Sequence, residues 1–201
     1  MTSKKRKKRI PSGIRKVKSL KTLRSLLQRH GVCYADWGTG YTKSPHDLMK
    51  EVRLGESILI VRRSKLIRQV RHAQADITGE IVGVLHTLIE SHQIFAGGIE
   101  RPREGDRSVS EKIQSGESPK AAMIRGIQEE LGLADFAGKG LIRDSRRPRK
   151  RYKDSAVSYP GLAVEHIEFQ FTWRMPTEYI EPLGYVETQR RKTTYFVWKE
   201  A

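Results

Sequence analysis

The sequence predicts a mixed α/β or α+β sandwich, in which strands lie on both sides of one central helix. Residues 57–64 and 65–79 are strand-like segments before that helix. After it, residues 161–175 alternate between apolar and polar side chains over the length of a long strand. Residues 192–199 are β-branched and aromatic, which predicts a last strand.

The segments that connect these strands give weaker signals. Gly79 predicts a turn at the end of the second strand. Residues 80–90 form a short apolar run whose periodicity fits a strand and a helix equally well. Residues 97–107 are rich in Gly, Pro and charged residues, which predicts a loop.

Composition narrows the class of protein. The chain has 201 residues, enough for one domain with a core and an attached arm. Its single cysteine, Cys33, excludes an internal disulfide framework and fits a reducing compartment. No apolar run approaches the roughly 18 residues of a membrane span. We therefore expect an intracellular protein, cytoplasmic in the first place, with no membrane partner.

The net charge of +16 is concentrated in two segments. Residues 1–35 carry 12 Lys and Arg and no acidic residue, and they predict a disordered basic arm followed by a short amphipathic helix. A basic loop, 143–154, carries seven basic and two acidic residues. We assign the rest, 36–201, to one domain. The run Lys4–Arg9 resembles a nuclear-localisation or nucleic-acid-binding patch, and the acid-free start also fits an organelle transit peptide.

The central helix has clear ends in the sequence. Ser118 is a good N-cap, Pro119 suits the first turn and Gly132 predicts the C-terminal stop, so the helix spans about Pro119–Leu131. One face carries an apolar stripe of four side chains, namely Ala121, Ile124, Ile127 and Leu131.

Charged residues lie off this stripe, on adjacent turns of the helix. Glu129 and Glu130 are side by side, and Arg125 is one turn before Glu129. With Glu117 in the preceding loop they form an oxygen-rich cluster of the kind that Mg²⁺ or Mn²⁺ prefers. A solvated acidic helix face would show the same residues, so both interpretations stay open on these grounds.

The spacing resembles the box of the Nudix hydrolases, G-x5-E-x7-R-E-U-x-E-E-x-G-U, in which U is an apolar residue. The lead-in GESPKAA (116–122) is also typical of that family. The resemblance is strong over 111–133 and extends over roughly 55–199. Seven box positions match, namely Glu117, Arg125, Ile127, Glu129, Glu130, Gly132 and Leu133.

The resemblance implies an α/β/α sandwich with a mixed sheet, in which 36–201 is a Nudix-like domain. It implies cleavage of a nucleoside diphosphate linked to another moiety, by attack of water on phosphorus with Mg²⁺ or Mn²⁺ as cofactor. Glu129 and Glu130 would be metal ligands, and Arg125 would orient a box carboxylate. Glu117 would serve as a ligand or support the site indirectly.

The family often takes a further ligand from outside the box. Glu165 and Glu168 on the long strand are candidates for that role. They are three residues apart and face opposite sides of a strand, so at most one can point at the site.

Two box positions depart from the family pattern. Gly126 stands where the family has Glu, and Glu111 stands where the box opens with Gly. Glycine within a helix costs about 1 kcal/mol relative to alanine, so we expect a specific reason for it. We hypothesise that Glu111 replaces the lost carboxylate and that Lys112 contacts phosphate. The alternative is that Glu111 is an exposed turn residue.

Two functions follow from these observations. The first is a metal-dependent pyrophosphohydrolase of nucleotide-type small molecules. Its catalytic residues would be Glu111, Arg125, Glu129 and Glu130, with Lys112 on the substrate and Glu117, Glu129 and Glu130 on the metal. The second is a catalytically inactive module that binds nucleic acid or nucleotide through its basic segments. RNA or another polyanion is a candidate partner of residues 4–29 and 143–153 in both cases.

Overall fold

The computed structural model of the chain describes residues 17–103, 108–145 and 147–201. These residues have a mixed α+β fold, as the sequence predicts. The helices are α1 (Leu20–Arg29), α2 (Pro45–Leu54) and α3 (Pro119–Leu131), and Thr177–Tyr179 forms a single 3₁₀ turn. The strands are β1 (Ser57–Arg62), β2 (Lys65–Ile81), β3 (Val84–Phe95), β4 (Ile99–Pro102), β5 (Val109–Lys112), β6 (Ile142–Arg143), β7 (Arg149–Lys153), β8 (Ala163–Arg174), β9 (Tyr185–Thr188) and β10 (Lys192–Glu200).

The chain divides into two compact units. The first runs to Gln69 and includes Lys153–Val164, and the second comprises Val70–Tyr152 and Glu165–Ala201. In the first unit, the predicted amphipathic helix is α1, which packs against α2. The division of the chain at residue 35 stays a prediction, and the basic arm before residue 17 lies outside the described residues. None of the described helices is both long enough and apolar enough to cross a bilayer.

A buried ion pair lies within the first unit. Arg68 on β2 donates from Nη2 to Glu51 Oε2 of α2 at 2.6 Å, and the exposed fractions of the two residues are 6% and 4%. Ser57 Oγ donates to the same Glu51 oxygen, and Lys43 Nζ lies 2.8 Å from Glu51 Oε1. The charges are therefore paired and hydrogen-bonded, as buried charges must be.

The second unit is built on strands in the order β6-β8-β2-β3-β10-β9, with β5 paired to β2, β4 to β3 and β7 to β8. Helix α3 packs against β5 and β9. The core of this unit contains apolar side chains from α3 and from the strands, and its largest members include Phe136, Phe171, Trp173 and Phe196. The helix that carries the predicted site is thus anchored on the sheet by its apolar face.

Several connections differ from the sequence-based expectations. Gly79 lies inside β2, and the turn follows at Val82 and Gly83 instead. A Cβ at position 79 would lie 2.9 Å from Ile180 Cδ1, so close packing rather than turn geometry requires this glycine. The ambiguous run 80–90 is the end of β2 and most of β3.

The expectation of a loop over 97–107 was wrong for Ile99–Pro102, which forms β4 and pairs with β3. The last part of that range, 104–107, lies outside the described residues. An edge position explains why this strand tolerates Pro102, which lacks a backbone N–H for the ladder.

Candidate active site

Helix α3 has the ends that the sequence predicts. Ser118 Oγ accepts from the Ala121 N–H at 3.1 Å, Pro119 occupies the first turn, and Gly132 ends the helix with a left-handed φ of 70°. The predicted apolar stripe was partly wrong, since Ala121 is exposed and Ile124 is only half-buried. The buried residues of the helix are instead Ala122, Met123, Gly126, Ile127 and Leu131.

Gly126 is buried against strand β5. A Cβ at position 126 would lie 2.7 Å from Glu111 Cβ and 3.3 Å from Glu111 Cγ and Val109 Cγ1. Real Cβ atoms do not approach other carbons so closely. The side chain of Glu111 therefore occupies the space that a side chain at 126 would need, and the two departures from the box lie in direct contact.

Arg125 connects the acids of this region. Its Nε lies 3.1 Å from Glu117 Oε1, and its Nη1 lies 3.3 Å from Glu111 Oε1 and 3.4 Å from Glu129 Oε2. Its Nη2 donates to the backbone carbonyl of Lys112 at 2.9 Å. The three carboxylates raise the pKa of Arg125, led by the hydrogen bond to Glu117, so the guanidinium is held charged. One side chain thus joins the helix to β5 and to the preceding loop.

The pKa values of Glu111 and Glu117 are shifted in opposite directions. Burial raises the pKa of Glu111, although Arg125 and the Lys112 N–H both favour its ionised form. Burial would also raise the pKa of Glu117, but hydrogen bonds from Arg125 and from the Gln114 N–H outweigh it, and the net shift is downward. Glu117 is therefore a fixed anion, while Glu111 is an acid at a less favourable place for negative charge.

Carboxylates on the sheet act electrostatically on Glu130. Burial is the largest cause of a pKa well above its usual value, and the charges of Glu187 on β9, Glu111 and Glu90 on β3 add to it. Lys192 opposes the shift. Three elements of the second unit therefore bring negative charge to the end of α3.

The sheet acids Glu90 and Glu187 were missed by the sequence analysis. Glu90 is 9% exposed, accepts from Gln93 Nε2 at 2.7 Å and pairs with Arg103 at 3.0 Å. Thr194, which is opposite Gln93 and Glu187 in the ladders, is 2% exposed. The signal that could have revealed these acids is a polar residue at a strand position where the pattern calls for an apolar one. Such a residue indicates a polar patch on a strand face that would otherwise belong to the core.

Lys112 does not share a strand face with Glu111, because successive side chains alternate. Its ladder partner on β2 is His72, whose ring centre lies 5.2 Å from that of His166 on β8, with the two rings tilted by 32°. Its backbone groups serve the site instead, since its N–H donates to Glu111 Oε1 at 2.7 Å. Contact of the Lys112 side chain with phosphate stays a prediction.

The two candidate ligands on the long strand are both buried. Glu168 is 2% exposed, and its Oε1 accepts from Arg151 on β7 at 2.9 Å. Glu165 is 7% exposed. The sheet acids that act on Glu130 are Glu90 and Glu187 rather than these two.

The side chains of this region are of the right chemical type for a divalent cation, but they are not arranged around one point. No three His, Cys, Asp or Glu side chains within the described ranges are arranged to hold a metal ion as they stand. Both Glu117 oxygens are engaged by Arg125 or the Gln114 N–H. Glu111, Glu129 and Glu130 are all hard oxygen donors of the kind Mg²⁺ and Mn²⁺ prefer, and their mutual repulsion is what a cation would relieve.

Comparison with known proteins gives a likeness in fold. No protein family and no curated protein sequence matches the chain at a significant level. The structure is similar to that of an Ap4A hydrolase binary complex from C. elegans, at 15% identity and a TM-score of 0.38, covering 65% of this chain and 79% of that one. It is also similar to MERS1 of T. brucei, at 15% identity, 77% and 58% coverage and a TM-score of 0.35. A third similar structure is the Nudix hydrolase RenU of M. smegmatis, at 13% identity, 64% and 69% coverage and a TM-score of 0.31.

Proposed function

We propose that this protein is a divalent-metal-dependent pyrophosphohydrolase that cleaves a nucleoside diphosphate linked to another moiety. The observation that carries the proposal is the contact between Glu111 and Gly126. If the acid at position 126 had been lost without replacement, the space next to that position of the helix would be empty. Here the Cβ of Glu111 on β5 lies 2.7 Å from the place of an ideal Cβ at 126. This contact supports the proposal that the acid of the site comes from the strand instead of the helix.

Each charged residue has a distinct role in this mechanism. Glu111, Glu129 and Glu130 would hold Mg²⁺ or Mn²⁺, and Glu129 can reorient at low cost because its side chain is 57% exposed. The bound cation would polarise the phosphoanhydride and favour attack by water. Arg125 orients Glu111, and Glu117 holds Arg125 in place through two hydrogen bonds. Glu117 is thus a positioning residue.

The swapped pair gives a direct test. The variant Glu111→Gly should lose at least about a hundredfold in kcat/KM, because one metal-binding carboxylate is removed. The variant Gly126→Glu should also be impaired, since its side chain overlaps Glu111. The double variant Glu111→Gly, Gly126→Glu restores the order of the family box and should recover activity. The measurement is phosphate-bond cleavage of dinucleoside polyphosphates, ADP-ribose, NAD and 5′-triphosphate RNA with Mg²⁺ or Mn²⁺.

The controls separate chemistry from folding. Glu111→Gln keeps the shape of the side chain and should lose activity while its unfolding curve changes little. Glu178→Gln removes an exposed glutamate elsewhere and should leave turnover unchanged. Full activity of Glu111→Gly, or no activity of the native chain on any substrate with either metal, contradicts the proposal.

A catalytically inactive module that binds nucleic acid or nucleotide is the second candidate. The observation that favours it is that Arg125 lies among Glu111, Glu117 and Glu129, so its guanidinium already neutralises acids that a metal would use. Titration calorimetry of Mn²⁺ binding distinguishes the enzyme from the inactive module. Micromolar binding that is lost in Glu129→Gln supports the enzyme, and no binding supports the module.

A further inference from the structure

Phe169 on β8 contacts two arginines in the second unit. The Arg71 guanidinium carbon is 5.5 Å from the centre of its ring, and that of Arg143 is 5.0 Å away. Both distances fall in the range of cation–π contacts. The ring itself is half-buried and packs on the core. The contacts hold the two cationic groups close to one aromatic ring.

This arginine pair borders the proposed active site. The backbone carbonyl of Arg71 accepts from the Ile113 N–H at 2.9 Å, directly after β5 ends. Two residues further along β2, Ala73 is the ladder partner of Glu111. Side chains two apart on a strand share a face. Arg71 and Glu111 therefore lie on the same face, on neighbouring strands.

Further cations follow Arg143 in the sequence of the basic loop, and Arg149 and Lys150 extend from opposite sides of β7. Arg147, Arg149 and Lys150 are exposed, and no acidic side chain of the described residues pairs with any of them. Arg151 is different, since it binds Glu168. We call Arg71, Arg143, Arg147, Arg149 and Lys150 the cationic strip.

An aromatic side chain accompanies the strip. Tyr152 lies on β7, two residues after Lys150, and is 46% exposed. Exposed aromatics among cations are typical of surfaces that bind single strands, because phosphates pair with the cations while bases stack on the rings. A duplex hides the faces of its bases, and an anionic lipid surface has none.

We propose that the cationic strip and Tyr152 bind single-stranded nucleic acid, and that its phosphorylated end reaches the acids around Arg125. The substrate class is then a 5′-polyphosphorylated strand, and its cleavage rests on the proposed function. Binding of the strand along the strip does not depend on that function. The charge concentrated in 143–154 serves, on this account, to select long polyanions over free nucleotides.

The first experiment measures binding by the full chain in EDTA, where no hydrolysis occurs. The probe is a fluorescent 5′-triphosphate RNA of roughly 20 nucleotides, titrated at several salt concentrations. The triple variant Arg147→Gln, Arg149→Gln, Lys150→Gln should reduce the slope of log K against log salt by about 2, since each contact with a single strand contributes about 0.7. The matched control Lys50→Gln, Arg63→Gln, Lys139→Gln removes the same charge from other exposed positions and should leave the slope unchanged.

The aromatic contribution has its own matched pair. Tyr152→Leu should weaken RNA binding about tenfold through lost stacking. Tyr41→Leu removes an aromatic of similar exposure, 41%, from the first unit and should have no such effect. Equal losses in the strip triple and in its control would overturn the proposal, as would binding to anionic vesicles with no RNA binding.

Turnover distinguishes this proposal from the preceding one. If both hold, the strip triple should lower the ratio of kcat/KM for the RNA to that for a dinucleoside polyphosphate at least tenfold. Salt-sensitive RNA binding through the strip without any hydrolysis would contradict the proposed function and leave the strip intact. Hydrolysis whose substrate preference is unaltered by the triple would contradict the strip alone.

Discussion

At position 126 the absence of a side chain determines how closely β5 approaches α3. Glycine in a helix interior normally destabilises a protein. Here the Cβ of an alanine would lie 2.7 Å from Glu111 Cβ, so the usual preference is reversed by packing. Position 111 and position 126 must therefore be considered together, since the space for one carboxylate is shared between them.

This reversal gives a prediction for stability. Gly126→Ala should lower the free energy of unfolding by about 1–2 kcal/mol, because overpacking outweighs the gain in helix propensity. In a Glu111→Gly background the same change should raise it by about 1 kcal/mol. Urea unfolding of the four chains measures the coupling. Additive effects of the two changes would show that these residues do not compete for space.

At the scale of elements, Arg125 holds the loop and the helix to β5. It contacts Glu111 on the strand, Glu117 in the loop and Glu129 on its own helix. Exposed ion pairs contribute little, but this arginine is 24% exposed and its Glu117 partner 16%. Charge and hydrogen bonds therefore add to the apolar contacts that hold the loop–helix junction to β5.

The lowered pKa of Glu117 makes this junction pH-dependent. A depressed folded-state pKa stabilises the fold above the unfolded-state value of 4.5, and the contribution is lost as pH falls through the folded-state value. Glu117→Gln should therefore cost about 2 kcal/mol near pH 7. The difference from the native chain should shrink toward about pH 3. Urea midpoints across this range test it, with Glu178→Gln as the exposed control; a constant difference at all pH values would disprove the linkage.

At the scale of the whole molecule, charge is used in two different ways. In the sequence, Lys and Arg are concentrated in residues 1–35 and in the basic loop 143–154, where we expect them to attract polyanions. Glu51 and Arg68 of the first unit are buried and paired with each other. The first kind of charge would act on the encounter with a polyanionic partner, whereas this pair acts within its own unit.

The buried pair predicts a large cost when one partner is removed. Arg68→Met should destabilise the protein by about 3–5 kcal/mol, because Glu51 is then left as a buried charge with less compensation. Arg174→Met breaks an exposed ion pair, in which the side chain of Arg174 is 70% exposed and that of Glu80 is 53% exposed. This change should lower the free energy of unfolding by under about 1 kcal/mol. Thermal and urea unfolding compare the two. The double variant Glu51→Leu, Arg68→Met should cost less than the sum of its single changes, and strict additivity would argue against coupling.

Local signals account for what could be predicted from the sequence. Ser118, Pro119 and Gly132 act on their own backbone neighbours, so both ends of α3 follow from residue type alone. The strands β1, β8 and β10 were predicted for a similar reason, because their side-chain patterns are contained within each segment.

The sequence by itself determined that Arg125, Glu129 and Glu130 lie together on one helix, since helical spacing places such residues on adjacent turns. Only the tertiary structure decided the rest. The contact of Glu111 with Gly126, the approach of Glu90 and Glu187 to Glu130, and the packing that makes Gly79 a strand residue all join distant parts of the chain. Such contacts depend on how β-strands pair and pack, and no local periodicity contains that information.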